Sequence, residues 1–295
     1  MKKKQLDQMT ARLKRSKAYR IAYRDPDFLD HSYARPIRLQ SELMKPEYTF
    51  RHHKIYSTIV VFGGTRILEE KEAAREVRKL ERKLTKKPDD KELKKQLKIA
   101  RSVLAKSAYY DEARKFGQIV SEEGQNHNGH EFVIVTGGGP GIMEAANRGA
   151  HDIEAKSIGL NITLPLEQEP NPYITPDLCL QFHYFAIRKM HFMLRAKALV
   201  AFPGGYGTLD ELFEALTLVQ TKKVRPLPIV LFSEKYWRGL INMEYLVEQG
   251  TIDEEDLNLF VYCDKAEEAW KYIKYFWEEQ EAKDKATGVT PSPTL

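Results

Sequence analysis

Two stretches of this chain repeat one construction: an apolar run of strand length, a turn made largely of glycine, and a helix. In the first, Phe132-Val133-Ile134-Val135-Thr136 runs into Gly137-Gly138-Gly139-Pro140-Gly141 and then Ile142-Met143-Glu144-Ala145-Ala146-Asn147. In the second, Ala198 to Phe202 runs into Pro203-Gly204-Gly205-Tyr206-Gly207-Thr208, and Leu209 to Gln220 follows with Leu209, Leu212, Phe213, Leu216 and Val219 at helical spacing. Ser57 to Phe62, followed by Gly63-Gly64-Thr65-Arg66, is a weaker third example. Such units predict a doubly wound α/β fold, in which ligands collect outside the C-terminal ends of the strands. Further strands are expected at Ser157–Thr163, Leu178–Phe182, Pro228–Phe232 and Leu259–Tyr262, with helices at Tyr109–Gln125, Tyr184–Lys197, Tyr236–Gln249 and Lys265–Glu279.

The turns also say what kind of ligand to expect. Glycine lets backbone N–H groups come close to an anion, and a helix N-terminus adds partial positive charge, so phosphate is the natural guest. Arg188 and Lys189 lie in the helix just before the second glycine unit, where a guanidinium could grip a phosphate or stack on a base. Asp210 and Glu211 are placed by the pattern in the first turn of the following helix, where they either complement the helix dipole or lie near the sugar of a bound nucleotide. The spacing is not GxGxxG and there is no GxxxxGK[ST], which disfavours NAD and ATPase readings.

Residues 1–54 read as a basic extension with a short helix near Gln5 to Tyr19. Pro26, Pro36 and Pro46 are expected to interrupt any long helix, and the scattered aromatics Tyr23, Phe28, Tyr33, Tyr48 and Phe50 suggest packing on the main body. Residues 55–280 form the nucleotide-binding domain. Residues 68–108 are an insertion dense in Lys, Arg and Glu, with Leu80, Leu84, Leu93, Leu97 and Leu104 as sparse apolar positions and Lys87-Pro88-Asp89-Asp90 as a break. This predicts a charged αα-hairpin, packed on itself or on another subunit. Acids interleave with the bases along it, so nucleic acid is not the expected partner. Residues 281–295 read as a disordered tail.

The net charge is +5, with eight Lys or Arg and one acid, Asp7, among the first 20 residues. A solvated tail is the plainer reading of that cluster. The two cysteines, Cys179 and Cys263, form no CxxC pair, so neither a structural metal nor a disulfide framework is expected. No apolar run reaches the length of a membrane span, and the N-terminus lacks the apolar stretch of a secretory signal. The expected compartment is the cytoplasm.

Taken together, GGGPGIMEAANRGA, the Arg188-Lys189-Met190 triplet and PGGYGTLDE resemble the Lonely guy (LOG) family of nucleoside 5′-monophosphate phosphoribohydrolases, long labelled possible lysine decarboxylases. The resemblance runs from about Ser57 to Phe276 without the charged hairpin. It implies a Rossmann-like, mostly parallel sheet with helices on both faces, no cofactor, a homodimer or higher oligomer, and release of a free base and ribose 5-phosphate from AMP or a cytokinin ribotide. Carried over by motif, Arg188 and Glu211 are the catalytic pair. Lys189, Gly204, Gly205, Tyr206, Gly207, Thr208, Thr217, Gly137, Gly138, Gly139 and Gly141 bind substrate. A loop glutamate falls on Glu167, with Glu169 the alternative. The chain has Glu144 where the family often has glycine.

Chemically, cleavage of a ribosyl C–N bond builds positive charge on the sugar, which a carboxylate beside it stabilises while orienting water. Glu211 is the candidate, with Glu167 a second acid, and Arg188 suits the departing base. A decarboxylase would need pyridoxal phosphate on a lysine, which nothing in the sequence suggests. A non-catalytic nucleotide sensor or nucleic-acid-binding protein on the same fold is the alternative to an enzyme.

Overall fold

A computed structural model describes residues 3–125, 130–165 and 169–287. The chain divides into two compact units, Met1–Glu47 and Tyr48–Leu295. The first holds α1 (Lys3–Arg15), the single turn α2 (Pro26–Leu29) and most of α3 (Arg35–His52). Inside it, Arg38 donates to the carbonyls of Leu29 and His31, and Lys17 pairs with Asp27 at 2.7 Å. The 18 residues of α3 correct the expectation that proline forbids a long helix here. Pro36 falls in the first turn, where a backbone N–H would have no helical partner anyway. Pro46 does remove one rung, yet the helix continues to His52, with Phe50 buried in the core of the second unit.

In the second unit the order is β1 (Thr58–Phe62), α4 (Glu70–Lys86), α5 (Lys91–Leu104), α6 (Ala108–Gly124), β2 (Val133–Thr136), α7 (Ile142–His151), β3 (Ser157–Ile162) and β4 (Cys179–Phe182). Then come α8 (Phe185–Met193), β5 (Ala196–Ala201), α9 (Tyr206–Gln220), β6 (Ile229–Phe232), α10 (Glu234–Leu240), α11 (Met243–Glu248), β7 (Phe260–Cys263) and α12 (Ala266–Thr287). The helix expected at Tyr236–Gln249 is therefore two, broken at Ile241 and Asn242. The Asn242 side chain caps the second by accepting from the Tyr245 amide. At the C-terminus α12 takes in part of the stretch read as a tail; 288–295 lie outside the described residues.

The strands form one seven-stranded sheet in the order β4-β3-β2-β1-β5-β6-β7, every pairing parallel. The fold is Rossmann-like α/β. Alternation along the central strands supplies two cores. Val60, Val135, Leu199 and Leu231 point to the face covered by Phe192 of α8 and by Leu212, Ala215 and Val219 of α9. Ile59, Val61, Ile134, Val200 and Val230 point to the face covered by Ala113, Phe116 and Val120 of α6, by α7, and by Trp270 and Ile273 of α12. Strands buried on both faces must be apolar throughout, which is why these runs do not alternate in sequence.

Sequence order reverses at β1, which leads to β2 on one side and lies beside β5 on the other. Crevices outside the carboxyl ends of strands form at such a switch point. The hairpin α4–α5 leaves the chain just after the β1 turn. It has a small core of its own in Val77, Leu80 and Leu97, flanked by Leu84, Leu93, Ala100 and Leu104.

Candidate active site

The three glycine turns meet at the switch point and are tied to one another through the backbone. The amide of Gly64 donates to the Pro203 carbonyl at 2.8 Å, and the amide of Ile142 donates to the Gly64 carbonyl at 3.2 Å. Glycine is required at Gly141, whose φ is +75° and whose Cβ would stand 2.3 Å from the Gly64 carbonyl oxygen. The Gly137–Gly141 turn is held from behind by buried polar side chains. Thr136 Oγ1 accepts from the Gly138 amide at 3.0 Å and donates to Asn147 Oδ1 at 2.7 Å. Asn171 Nδ2 reaches the carbonyls of Gly138 and Gly139 at 3.2 and 3.1 Å. On the other turn, Tyr236 donates its hydroxyl to the Gly204 carbonyl at 2.5 Å.

Between the turns lies a cavity of about 370 Å³, within the range of small-ligand sites, roughly 300–1,000 Å³. Gly63, Gly64, Thr65 and Gly137 line one side, and Gly205, Tyr206, Gly207, Thr208, Arg188 and Glu211 the other; Phe62, Met143, Asn161, Ile162, Leu164 and Phe185 complete it. A Cβ on Gly205 or Gly207 would meet nothing within 4 Å, and neither has a positive φ. Neither packing nor backbone conformation asks for glycine at these two positions. What their lack of a side chain preserves is open approach to the cavity.

Helix α9 begins at Tyr206, earlier than the apolar spacing indicates, with Gly205 as its N-cap residue. The amides of Tyr206 and Gly207 are thus first-turn donors without intrahelical acceptors, and both residues line the cavity. The earlier start corrects the placement of Asp210 and Glu211, which stand in the second turn and not the first. Matching the helix dipole therefore does not account for Glu211.

Glu211 is only 7% exposed. Arg188 Nη2 donates to its Oε1 at 3.3 Å, while Arg188 Nε is buried and has no hydrogen-bond partner among the described residues. The guanidinium stands over the rings of Phe185 and Phe192 at 5.1 and 5.7 Å. Burial raises the Glu211 pKa to about 7, even though Arg188 and Lys189 pull it down. Burial also lowers the Arg188 pKa from its usual value, against the pull of Glu211. The site thus holds a carboxyl whose pKa is raised to about 7 beside a half-buried cation with a spare, buried Nε donor.

Other sequence candidates sit elsewhere. Lys189 does not line this cavity: its ammonium pairs with Asp210 at 2.8 Å and Glu214 at 3.0 Å, joining α8 to α9. Partial burial disfavours its charge, but these two hydrogen bonds carry its pKa above the usual lysine value. Thr217 is exposed two turns further along α9 and donates its hydroxyl to the Phe213 carbonyl; with Lys189 it borders a separate shallow depression. Gly138, Gly139, Gly141 and Gly204 shape the turns without lining the cavity. Glu167 lies outside the described residues, and Glu169 is exposed. Asn161 and Phe185 are lining residues the sequence reading missed. Neither belongs to a motif, though Asn161 could have been found as a polar residue near the C-terminal end of a strand. The departure at Glu144 has a local cause: it accepts from the buried hydroxyl of Tyr110 at 2.8 Å. Among the described residues, no group of three or more His, Cys, Asp or Glu could hold a metal ion, and no helix is long and apolar enough to cross a membrane.

Residues 143–273 match the family model described as "Possible lysine decarboxylase". The matched segment is similar to this family. Several similar curated proteins carry the name LOG. The chain is 31% identical over 143 residues to "Probable cytokinin riboside 5'-monophosphate phosphoribohydrolase LOG4" of Oryza sativa subsp. japonica; the alignment covers 47% of this chain and 60% of that protein. It is 28% identical over 177 residues to "Cytokinin riboside 5'-monophosphate phosphoribohydrolase LOG3" of Arabidopsis thaliana, covering 58% and 77%. With the LOG protein of Oryza sativa subsp. japonica the identity is 26% over 179 residues, covering 60% and 70%. The alignment with the first of these spans less than two thirds of that relative's length. Gly204 to Glu211 and the Arg188-Lys189 pair all fall within the segment that the family model matches.

Proposed function

We propose that the chain hydrolyses the N-glycosidic bond of a nucleoside 5′-monophosphate, releasing the free base and ribose 5-phosphate. The observation that carries this reading is the pair of half-buried Arg188 and buried Glu211 facing glycine turns that leave room for an anion, in one cavity at the switch point. The printed names of the relatives point to the same reaction on cytokinin riboside 5′-monophosphates.

In this reading the phosphate lies against the first-turn amides of α9 and against Gly205 and Gly207, which fixes the ribose beside Glu211. As the C1′–N bond breaks, its electron pair leaves with the base and C1′ becomes cationic. Ionised Glu211 stabilises that charge and takes a proton from the water whose oxygen bonds to C1′. The base departs as an anion, which Arg188 steadies through its spare Nε donor, and that proton neutralises it afterwards. A carboxyl with a pKa of about 7 is suited to accept and return a proton near neutral pH. The decarboxylase name does not suit the cavity: among the described residues no lysine lines it, and Lys189 is engaged by Asp210 and Glu214.

The test is incubation with AMP, GMP, CMP, UMP and isopentenyl-AMP, followed by chromatography for free base. Release from one or more, lost in Glu211→Gln and Arg188→Ala, is the expected result and names the base. Nucleotide binding without base release would replace the enzyme with a nucleotide sensor.

A further inference from the structure

The hairpin α4–α5 plays no part in the chemistry proposed above, and its charges are sorted in a way the sequence order conceals. On α4 the inward residues are Ala73, Val77, Leu80 and Leu84, at steps of four, three and four. Lys71, Arg75, Arg78 and Arg82 repeat those steps two positions earlier, and Lys86 extends them by another four. Two residues are about 200° of helix rotation, so the five cations form one stripe on the face opposite the hairpin core. All five are exposed, and none is in an ion pair among the described residues.

The interleaved acids lie on the flanks, where two of them are engaged. Glu76 pairs with Lys79 at 2.9 Å, and Glu81 pairs with Arg101 of α5 at 2.8 Å. Glu72 flanks the stripe on the Glu76 side and Glu70 on the Glu81 side. The stripe itself carries no acid and no apolar residue, and it runs for about 22 Å at about 1.5 Å per residue.

We propose that this stripe binds the phosphodiester backbone of a nucleic-acid duplex. Its length matches about six steps of one strand at about 3.4 Å per step, and three of its five cations are arginines, whose planar fork suits phosphate oxygens. Single strands are held largely by stacking on aromatic side chains, which the stripe lacks. An anionic membrane surface would ask for an apolar face, and the apolar face of α4 is consumed by the hairpin core. Contacts to phosphates alone carry no base specificity, so RNA and DNA duplexes share the recognised chemistry. On α5, Lys91, Lys95 and Lys98 make a shorter basic run on the other side of the arm.

The experiment measures binding of full-length protein to fluorescein-labelled 20-base-pair RNA and DNA duplexes of one sequence, by anisotropy across a salt series. Five phosphate contacts give a slope of log K against log salt of about −4.5. The triple variant Arg75→Gln, Arg78→Gln, Arg82→Gln keeps good helix formers and the hairpin core. It should melt with the parent by circular dichroism, bind at least tenfold more weakly at 50 mM salt, and show a slope near −2. Binding of either duplex with those changes supports the stripe. A second triple variant, Arg12→Gln, Lys14→Gln, Arg15→Gln, removes charge from the N-terminal cluster instead and should bind as the parent does. If that variant loses duplex binding while the α4 variant keeps it, the proposal is overturned. Sedimentation with phosphatidylglycerol vesicles in the absence of duplex binding overturns it too, as does failure to bind either duplex at 50 mM salt.

Discussion

Replacing Glu211 by glutamine should separate stability from activity in a pH-dependent way. The carboxyl is 7% exposed and burial moves its pKa from 4.5 to about 7, a displacement equivalent to about 3 kcal/mol between its charged and neutral forms. Because the folded-state pKa lies above the unfolded one, the folded protein binds more protons between pH 4.5 and 7, and stability falls as pH rises through that window. Glutamine resembles the protonated form in shape and charge at every pH. Glu211→Gln should therefore be more stable than the parent by about 3 kcal/mol at pH 8 and by only about 1 kcal/mol at pH 5, while losing base release. Urea denaturation of both proteins at pH 5, 6, 7 and 8 measures this directly. A variant less stable than the parent at pH 8 would refute the reasoning, since it would mean that ionised Glu211 and Arg188 together stabilise the fold. A difference that does not change with pH would show that Glu211 titrates normally.

Three further outcomes are expected. Base release should rise with pH through about 7 as Glu211 ionises, with roughly one tenth of the plateau rate at pH 6, measured as kcat/KM in a buffer series. Gly205→Ala and Gly207→Ala should fold normally, because the added Cβ meets nothing, yet weaken nucleotide binding at least tenfold by calorimetry; Gly204→Ala, whose Cβ would stand 2.1 Å from Thr208 Oγ1, should lower stability by about 1–3 kcal/mol. Arg188→Lys should not restore the activity lost in Arg188→Ala, because an ammonium lacks the planar fork that meets Glu211 and leaves Nε spare; recovery to within tenfold of the parent would count against that role.

The sheet was legible because its strands are buried on both faces and so appear as unbroken apolar runs such as Ile59 to Phe62 and Ile229 to Phe232. The Arg188 and Glu211 positions were legible through motifs, since glycine turns and their neighbouring charges follow one another closely in sequence. Boundaries set by tertiary packing were not. Tyr206-Gly207-Thr208 are poor helix formers, yet they begin α9 because the Gly205 carbonyl accepts from the amides of Thr208 and Leu209. Pro46 reads as a helix breaker, and α3 continues past it to the buried Phe50. Asn171 supports a glycine turn more than 30 residues away, and nothing in its proline-rich surroundings marks that task. The hairpin's charges were legible as composition, but their separation into a free stripe and paired flanks needed the inward residues of α4 to be known.

The backbone ties among the glycine turns have a kinetic consequence. The bond from Gly64 to Pro203 joins residues 139 positions apart, and the bond from Ile142 to Gly64 spans 78. Contacts so distant in sequence close late in folding, because the intervening chain must lose its freedom before they form. The segment that the family model matches begins at residue 143, after both β1 and β2. A fragment limited to it would lack the central strand of the sheet and one wall of the cavity. The cavity is therefore a product of the whole second unit closing together, so a bound nucleotide would slow exchange of the β1 and β5 amides in concert, far from any atom it touches.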